Sequence, residues 1–185
     1  MNQAYKELLI LARSVIAGSV GRGDLSYYEE LKERSEPIFH QKRGVFVTLT
    51  TKGGRLRGCI GNLTGYERVV DQVARLAYEA AFRDPRFDGV TKEELADLHI
   101  EISLLTEAKP IPSYRDIRYG IDGIILMNTH HRAVFLPHVG QEQGWDLETT
   151  LKHLSRKAGL ADDGYRDPAT HFEVFQAEVF GEDEA

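Results

Sequence analysis

Leu8, Leu11, Ala12, Val15 and Ile16 recur at the helical period, which predicts a first helix ending around Gly18 and Gly21. Ser26, with Glu29 three residues on, predicts a second, capped helix. Glu36-Pro37 stops it, because the residue before a proline avoids the helical region. The pattern then changes to period two. Val45, Val47 and Leu49 alternate with Phe46, Thr48 and Thr50, and Leu56-Arg57-Gly58-Cys59-Ile60-Gly61 returns after a glycine turn at Lys52-Gly53-Gly54-Arg55. With Gly53 and Gly54 as a two-residue loop, Thr50 lies opposite Arg57 and Thr48 opposite Cys59. Arg57 and Cys59 then share one face with both threonines, and Val45, Val47, Leu49, Leu56 and Ile60 take the core face.

Val69, Val70, Val73, Leu76, Ala77, Ala80 and Ala81 form the stripe of a core helix over about 67–82. Asp84-Pro85 closes it and gathers Arg83, Asp84 and Arg86 into the exit turn. Thr91 and Glu94 predict another short capped helix, and 99–105 a strand with Glu101 and Ser103 on its polar face. Lys109-Pro110-Ile111-Pro112 reads as a rigid connector, followed by a second hairpin, 124–127 with 133–136. Asp146 opens a helix carrying Leu147, Leu151, Leu154 and Ala158, which Gly159 ends. Residues 171–180 read as one final strand and 181–185 as an acidic tail. Because hairpins supply the strand pairings, the fold class is α+β, with a mostly antiparallel sheet flanked by helices.

Composition narrows the function. With 29 acidic against 23 basic residues the formal charge is −6, which argues against a general nucleic-acid coat. The single cysteine, Cys59, excludes an intrachain disulfide and fits a reducing cytoplasm. No apolar run approaches the roughly 20 residues that span a bilayer, and charges at Lys6, Glu7 and Arg13 interrupt any signal-peptide core. At 185 residues, the chain is read as a single domain, 1–185, with room for two lobes around one cleft.

The strings Leu56-Arg57-Gly58-Cys59-Ile60-Gly61-Asn62-Leu63 and Ala81-Phe82-Arg83-Asp84-Pro85-Arg86-Phe87 carry a resemblance. Taken with Glu101-Ile102-Ser103, Phe135-Leu136-Pro137, Gly144-Trp145-Asp146 and Lys157-Ala158-Gly159-Leu160, they resemble the AMMECR domain family, in order along nearly the whole chain. The resemblance implies a two-lobed α+β fold with a cleft lined by the octapeptide. It also implies a place as component A of a three-part set, with a Memo-like and a radical S-adenosylmethionine protein as partners. The family has no settled biochemical activity. Three places depart from its usual pattern: His138 where glutamine is common, Ser155 where cysteine is frequent, and Asn128-Thr129-His130-His131 in place of a glycine-rich turn.

Cys59 is the candidate nucleophile and Glu101 a candidate carboxylate; together they form the catalytic set. The ligand-binding set is Arg57, Gly58, Gly61, Asn62, Arg83, Asp84 and Arg86, since guanidinium forks match a small anionic ligand. Each has a structural counterpart: a buried strand cysteine, arginines that pin their own turn against Asp84 and Asp88, and a solvated glutamate. Gly58 and Gly61 weaken a strand unless a bulge or a close approach requires them. His130, His131 and His138 lack metal-ligand spacing, and no glycine motif calls for a nucleotide cofactor. Two functions remain: a small-ligand or catalytic cleft around Cys59 and Arg57, and a protein-binding module in which the octapeptide is structural.

Overall fold

The computed structural model describes residues 2–21 and 26–182. Among them are six α-helices: α1 (Gln3–Ser19), α2 (Ser26–Glu33), α3 (Pro37–His40), α4 (Val69–Phe82), α5 (Val139–Glu142) and α6 (Leu147–Lys157). Eight strands are β1 (Val45–Thr51), β2 (Leu56–Asn62), β3 (Leu98–Leu105), β4 (Lys109–Ile111), β5 (Gly123–Asn128), β6 (His131–Phe135), β7 (Thr170–Phe175) and β8 (Ala177–Gly181). They form two four-stranded antiparallel sheets, so the fold is α+β. The chain divides into two compact units, Met1–Leu105 with Glu178–Ala185, and Thr106–Ala177.

The first unit holds the sheet β2-β1-β3-β8. Its core is built as the periodicity demands: Leu8, Leu11 and Ile16 of α1 and Val73, Leu76 and Ala77 of α4 are buried against Val45, Val47, Leu49, Ile100, Ile102 and Leu104. Asn2 caps α1, its side chain accepting from the Ala4 N–H, and the helix runs through Gly18 to Ser19. Ser26 is the first residue of α2; the position that would cap the helix, residue 25, lies outside the described residues. Pro37 opens α3 at its first turn, where a missing N–H costs nothing.

The first hairpin departs from the expected register at one point. Val45↔Asn62 through Leu49↔Gly58, including Thr48↔Cys59, pair as the two-residue loop requires, but Thr50 pairs with Leu56 and not with Arg57. The turn is the cause. Thr51 N–H donates to Arg55 O at 2.9 Å, which makes Lys52-Gly53-Gly54 a three-residue loop with Gly54 at φ +77°. Such loops carry a residue in the left-handed region and displace the ladder by one. Arg57 becomes the unpaired, bulged residue. Leu56 moves off the core face and is 38% exposed.

The second unit holds the sheet β4-β7-β5-β6, with Ile124, Leu126, Ala133 and Phe172 buried against Leu151 and Leu154 of α6. Asp146 caps α6 by accepting from Thr149 N–H at 2.7 Å, and Gly159 follows the helix at φ +80°. Two further expectations are corrected here. Lys109-Pro110-Ile111 is an edge strand paired with β7, a position that tolerates a proline's missing N–H. The single strand over 171–180 is two strands that join different sheets, parted at Gln176, whose N–H donates to Thr106 Oγ1 at 2.8 Å.

Candidate functional site

Cys59 lies mid-way along β2, the edge strand of the first sheet. Across the sheet it stands in register with Thr48, which stands in register with Glu101. Directly opposed residues of antiparallel strands project the same way, so thiol, hydroxyl and carboxylate form one row. The adjacent Gly58 identifies the other face: a Cβ there would meet Ala80 O of α4 at 2.1 Å. The row is therefore on the face turned away from α4. All three residues are half-buried, and Cys59 Sγ lies 3.3 Å from Thr48 Oγ1.

The exit turn of α4 holds Cys59 by its backbone. Asp84 Oδ2 accepts the Cys59 N–H at 2.9 Å, and Arg86 Nη2 donates to Cys59 O at 3.3 Å. Asp84 is itself buried, and Arg86 donates to it through Nε at 2.9 Å and Nη2 at 2.7 Å. The Arg86 guanidinium, aided by the N–H groups of Cys59 and Arg86, holds the Asp84 carboxyl far below the usual carboxylate range. An edge strand leaves every second N–H and C=O unpaired, and at Cys59 both are satisfied by one ion pair.

Arg57, the bulged residue, turns to a different partner. Its Nε and Nη2 donate to Glu94 at 2.7 and 3.0 Å, and Nη1 donates to Asp88 O at 2.8 Å. Glu94 also accepts the Thr91 N–H at 2.8 Å, and Arg57 with that N–H holds its pKa at about 2. So Arg57 and Arg86 both carry protein carboxylates. Arg83 is exposed, with its guanidinium over the Tyr78 ring at 5.8 Å. In the amide orientation that satisfies both its groups, Asn62 accepts from Arg75 at 2.9 Å. The octapeptide glycines answer to the protein's own atoms: a Cβ at Gly58 would strike the α4 backbone, and one at Gly61 would meet the Phe46 ring at 2.3 Å.

The structure thus joins Cys59, Asp84 and Arg86 directly and sets Glu101 in their row, while Arg57 and Arg83 lead elsewhere. Two further residues belong to this neighbourhood. Glu94 reads locally as half of a capping box, but its pairing with Arg57 spans 37 residues and has no local signal. His99 lies opposite Thr50, so it shares a face with Glu101, and the two-residue spacing between them is the signal that could have found it. His131 Nδ1 is bonded to Ala158 O at 2.7 Å, and His130 is exposed at the β5–β6 turn. Ser155 is fully buried and donates to Leu151 O at 2.9 Å, and Trp145 stacks on His153 at 3.8 Å. Among the described residues no group of three or more His, Cys, Asp or Glu side chains is placed to hold a metal ion.

Comparison with known proteins gives this arrangement its relatives. The AMMECR1 family model matches residues 9–180. A protein from Methanothermobacter thermautotrophicus is 44% identical, with 79% of each chain covered. One from Thermococcus gammatolerans is 38% identical, covering 95% of this chain and 89% of its own. The crystal structure of an uncharacterized protein from Pyrococcus horikoshii superposes with a TM-score of 0.77 at 34% identity, covering 95% of this chain and 90% of that one.

Proposed function

We propose, from the premise that this chain belongs to the AMMECR1 family, that the row Cys59–Thr48–Glu101 is a small-ligand site with the thiol as its reactive group. One observation carries the reading: a buried carboxylate and its guanidinium are committed to fixing both backbone groups of Cys59. That fixes the direction of the thiol, and positioning of a reacting group within a fraction of an ångström is what a site requires. In the same row the Thr48 hydroxyl and the Glu101 carboxylate offer hydrogen-bonding partners to a bound molecule. On this reading the protein acts as the ligand-handling component of a set with Memo-like and radical S-adenosylmethionine partners, in the cytoplasm, where a lone thiol stays reduced. Among the described residues no helix is long and apolar enough to cross a membrane.

A second reading is favoured by a different observation. Arg57 and Arg86 are already paired with Glu94 and Asp84, so the octapeptide can be cement for a protein-binding module. Iodoacetamide labelling of the native protein across pH separates the two. A site thiol reacts in the folded state, at a rate that follows its thiolate fraction. If Cys59 is modified only after unfolding, the module reading stands and the site reading falls.

A further inference from the structure

Phe46 shares the face of Cys59, Thr48 and Glu101, because its neighbours Val45 and Val47 are buried on the other. It stands in register between Gly61 on β2 and Ser103 on β3, one row from the thiol. Its ring leans onto Gly61: a Cβ at that position would meet Phe46 Cγ at 2.3 Å and Cδ1 at 2.4 Å. The ring therefore occupies the space of the side chain that residue 61 lacks. Along β2 that space adjoins Cys59, since the Cα atoms of residues 59 and 61 are roughly 7 Å apart. Phe46 is half-buried and packs in neither hydrophobic core. Among the described residues its ring has no aromatic or cationic neighbour.

We infer that Phe46 is the recognition platform of the Cys59 site, and that the ligand carries a planar aromatic group that stacks on its ring while the reacting atom meets the thiol. This rests on the proposed site, whose ligand class it names. An offset pair of rings adds attraction beyond the area it buries. Charge does not compete for that role, because Arg57 and Arg86 are already neutralised by Glu94 and Asp84. Small-molecule sites are lined in this way, by aromatic surface with a few placed polar groups, here Thr48 and Glu101. A ring that served only to fill the gap over Gly61 would stabilise the hairpin and leave the choice of ligand untouched.

The test compares two neutral alkylating reagents of equal length, N-phenyl- and N-cyclohexyl-iodoacetamide. On reaction the thiolate forms the S–C bond and iodide leaves. In either adduct, when extended, the six-membered ring is centred about 6.5 Å from the sulfur, within reach of the Phe46 ring. With each rate divided by its rate for a free cysteine peptide, the phenyl reagent should label Cys59 about three- to tenfold faster. The cyclohexyl ring is apolar but not flat, so the ratio reads stacking. The preference should disappear in Phe46→Leu and persist in Phe46→Trp, whereas a merely structural ring would change both rates together. Equal normalised rates in wild type, a preference that survives Phe46→Leu, or one lost in Phe46→Trp overturns this inference while leaving the thiol site intact. Should Phe46→Leu not fold, wild type and Phe46→Trp still decide. No labelling of the native protein by any reagent overturns the site, and the inference with it.

Discussion

Asp84 and Cys59, 25 residues apart, are joined by a 2.9 Å hydrogen bond from the Cys59 N–H to a buried carboxylate, and Arg86 closes the clasp on the Cys59 carbonyl. The two clasp residues differ in what their loss leaves behind. Asp84→Ala removes charge-assisted hydrogen bonds and leaves the Cys59 and Arg86 N–H groups and a half-exposed guanidinium without their acceptor, but no buried charge, and should cost about 1.5–3 kcal/mol. Arg86→Ala leaves a buried carboxylate without its counter-charge, and should cost about 3 kcal/mol or more. Urea unfolding of the two variants checks the order; an Arg86→Ala variant as stable as wild type contradicts it.

Asp84 and Glu94 are both held below their ordinary pKa values, Glu94 at about 2. Such groups contribute stability that is fully present above the unfolded values near 4 and is lost as pH falls through the folded ones. The stability gap between wild type and Asp84→Asn with Glu94→Gln should therefore be constant above about pH 5.5 and shrink steadily towards pH 2. Unfolding midpoints at pH 7, 4 and 2.5 measure it. A gap unchanged at pH 2.5 means these carboxylates are not the stabilised groups.

Gly58 is required by close approach. A Cβ there would sit 2.1 Å from Ala80 O and 3.0 Å from Ala80 C, both backbone atoms, so strand and helix must part. Gly58→Ala should lose about 3 kcal/mol, the upper end for overpacking. Gly53→Ala, whose nearest neighbour is 3.7 Å away, should stay within about 0.5 kcal/mol of wild type. Thermal melts of both decide; equal melts would remove the packing explanation for Gly58.

Thr129 occupies the two-residue loop between Asn128 and His131 at φ +49°, a region that β-branched residues seldom enter. Thr129→Gly should raise stability by about 1 kcal/mol through relief of that strain. Its Oγ1 bond to Asn128 Oδ1, at 3.3 Å, is too weak to reverse the sign. A lower melting temperature in Thr129→Gly would show that the loop's side chain contributes more than its backbone costs.

How much of the fold is legible in the sequence depends on the range of the forces involved. The stripes of α1, α4 and α6 and the alternation of β1 and β3 follow from burial, which a local window registers, and so does Thr48 facing Cys59. The expected register departs from the observed one two residues further on, because a Gly-Gly pair suits both a two-residue and a three-residue loop, and only Gly54's conformation chooses. The same ambiguity puts Arg57 on the Cys59 face in the sequence and off it in the structure. The break at Gln176 and the strand at Lys109-Pro110-Ile111 depend on partners far along the chain, Thr106 and Val174 among them. The ion pairs that decide what the site arginines do are likewise long-range, apart from Arg86 with Asp84, two residues apart.

Cys59→Ser tests the proposed site most directly. What the fold asks of position 59 passes through its backbone, which serine keeps, and the serine hydroxyl can still bond to Thr48. The melting temperature of Cys59→Ser should therefore match wild type, within about 0.5 kcal/mol, while Asp84→Ala falls clearly. A Cys59→Ser variant destabilised by about 1–3 kcal/mol would make the thiol a packing element and contradict the site built around it.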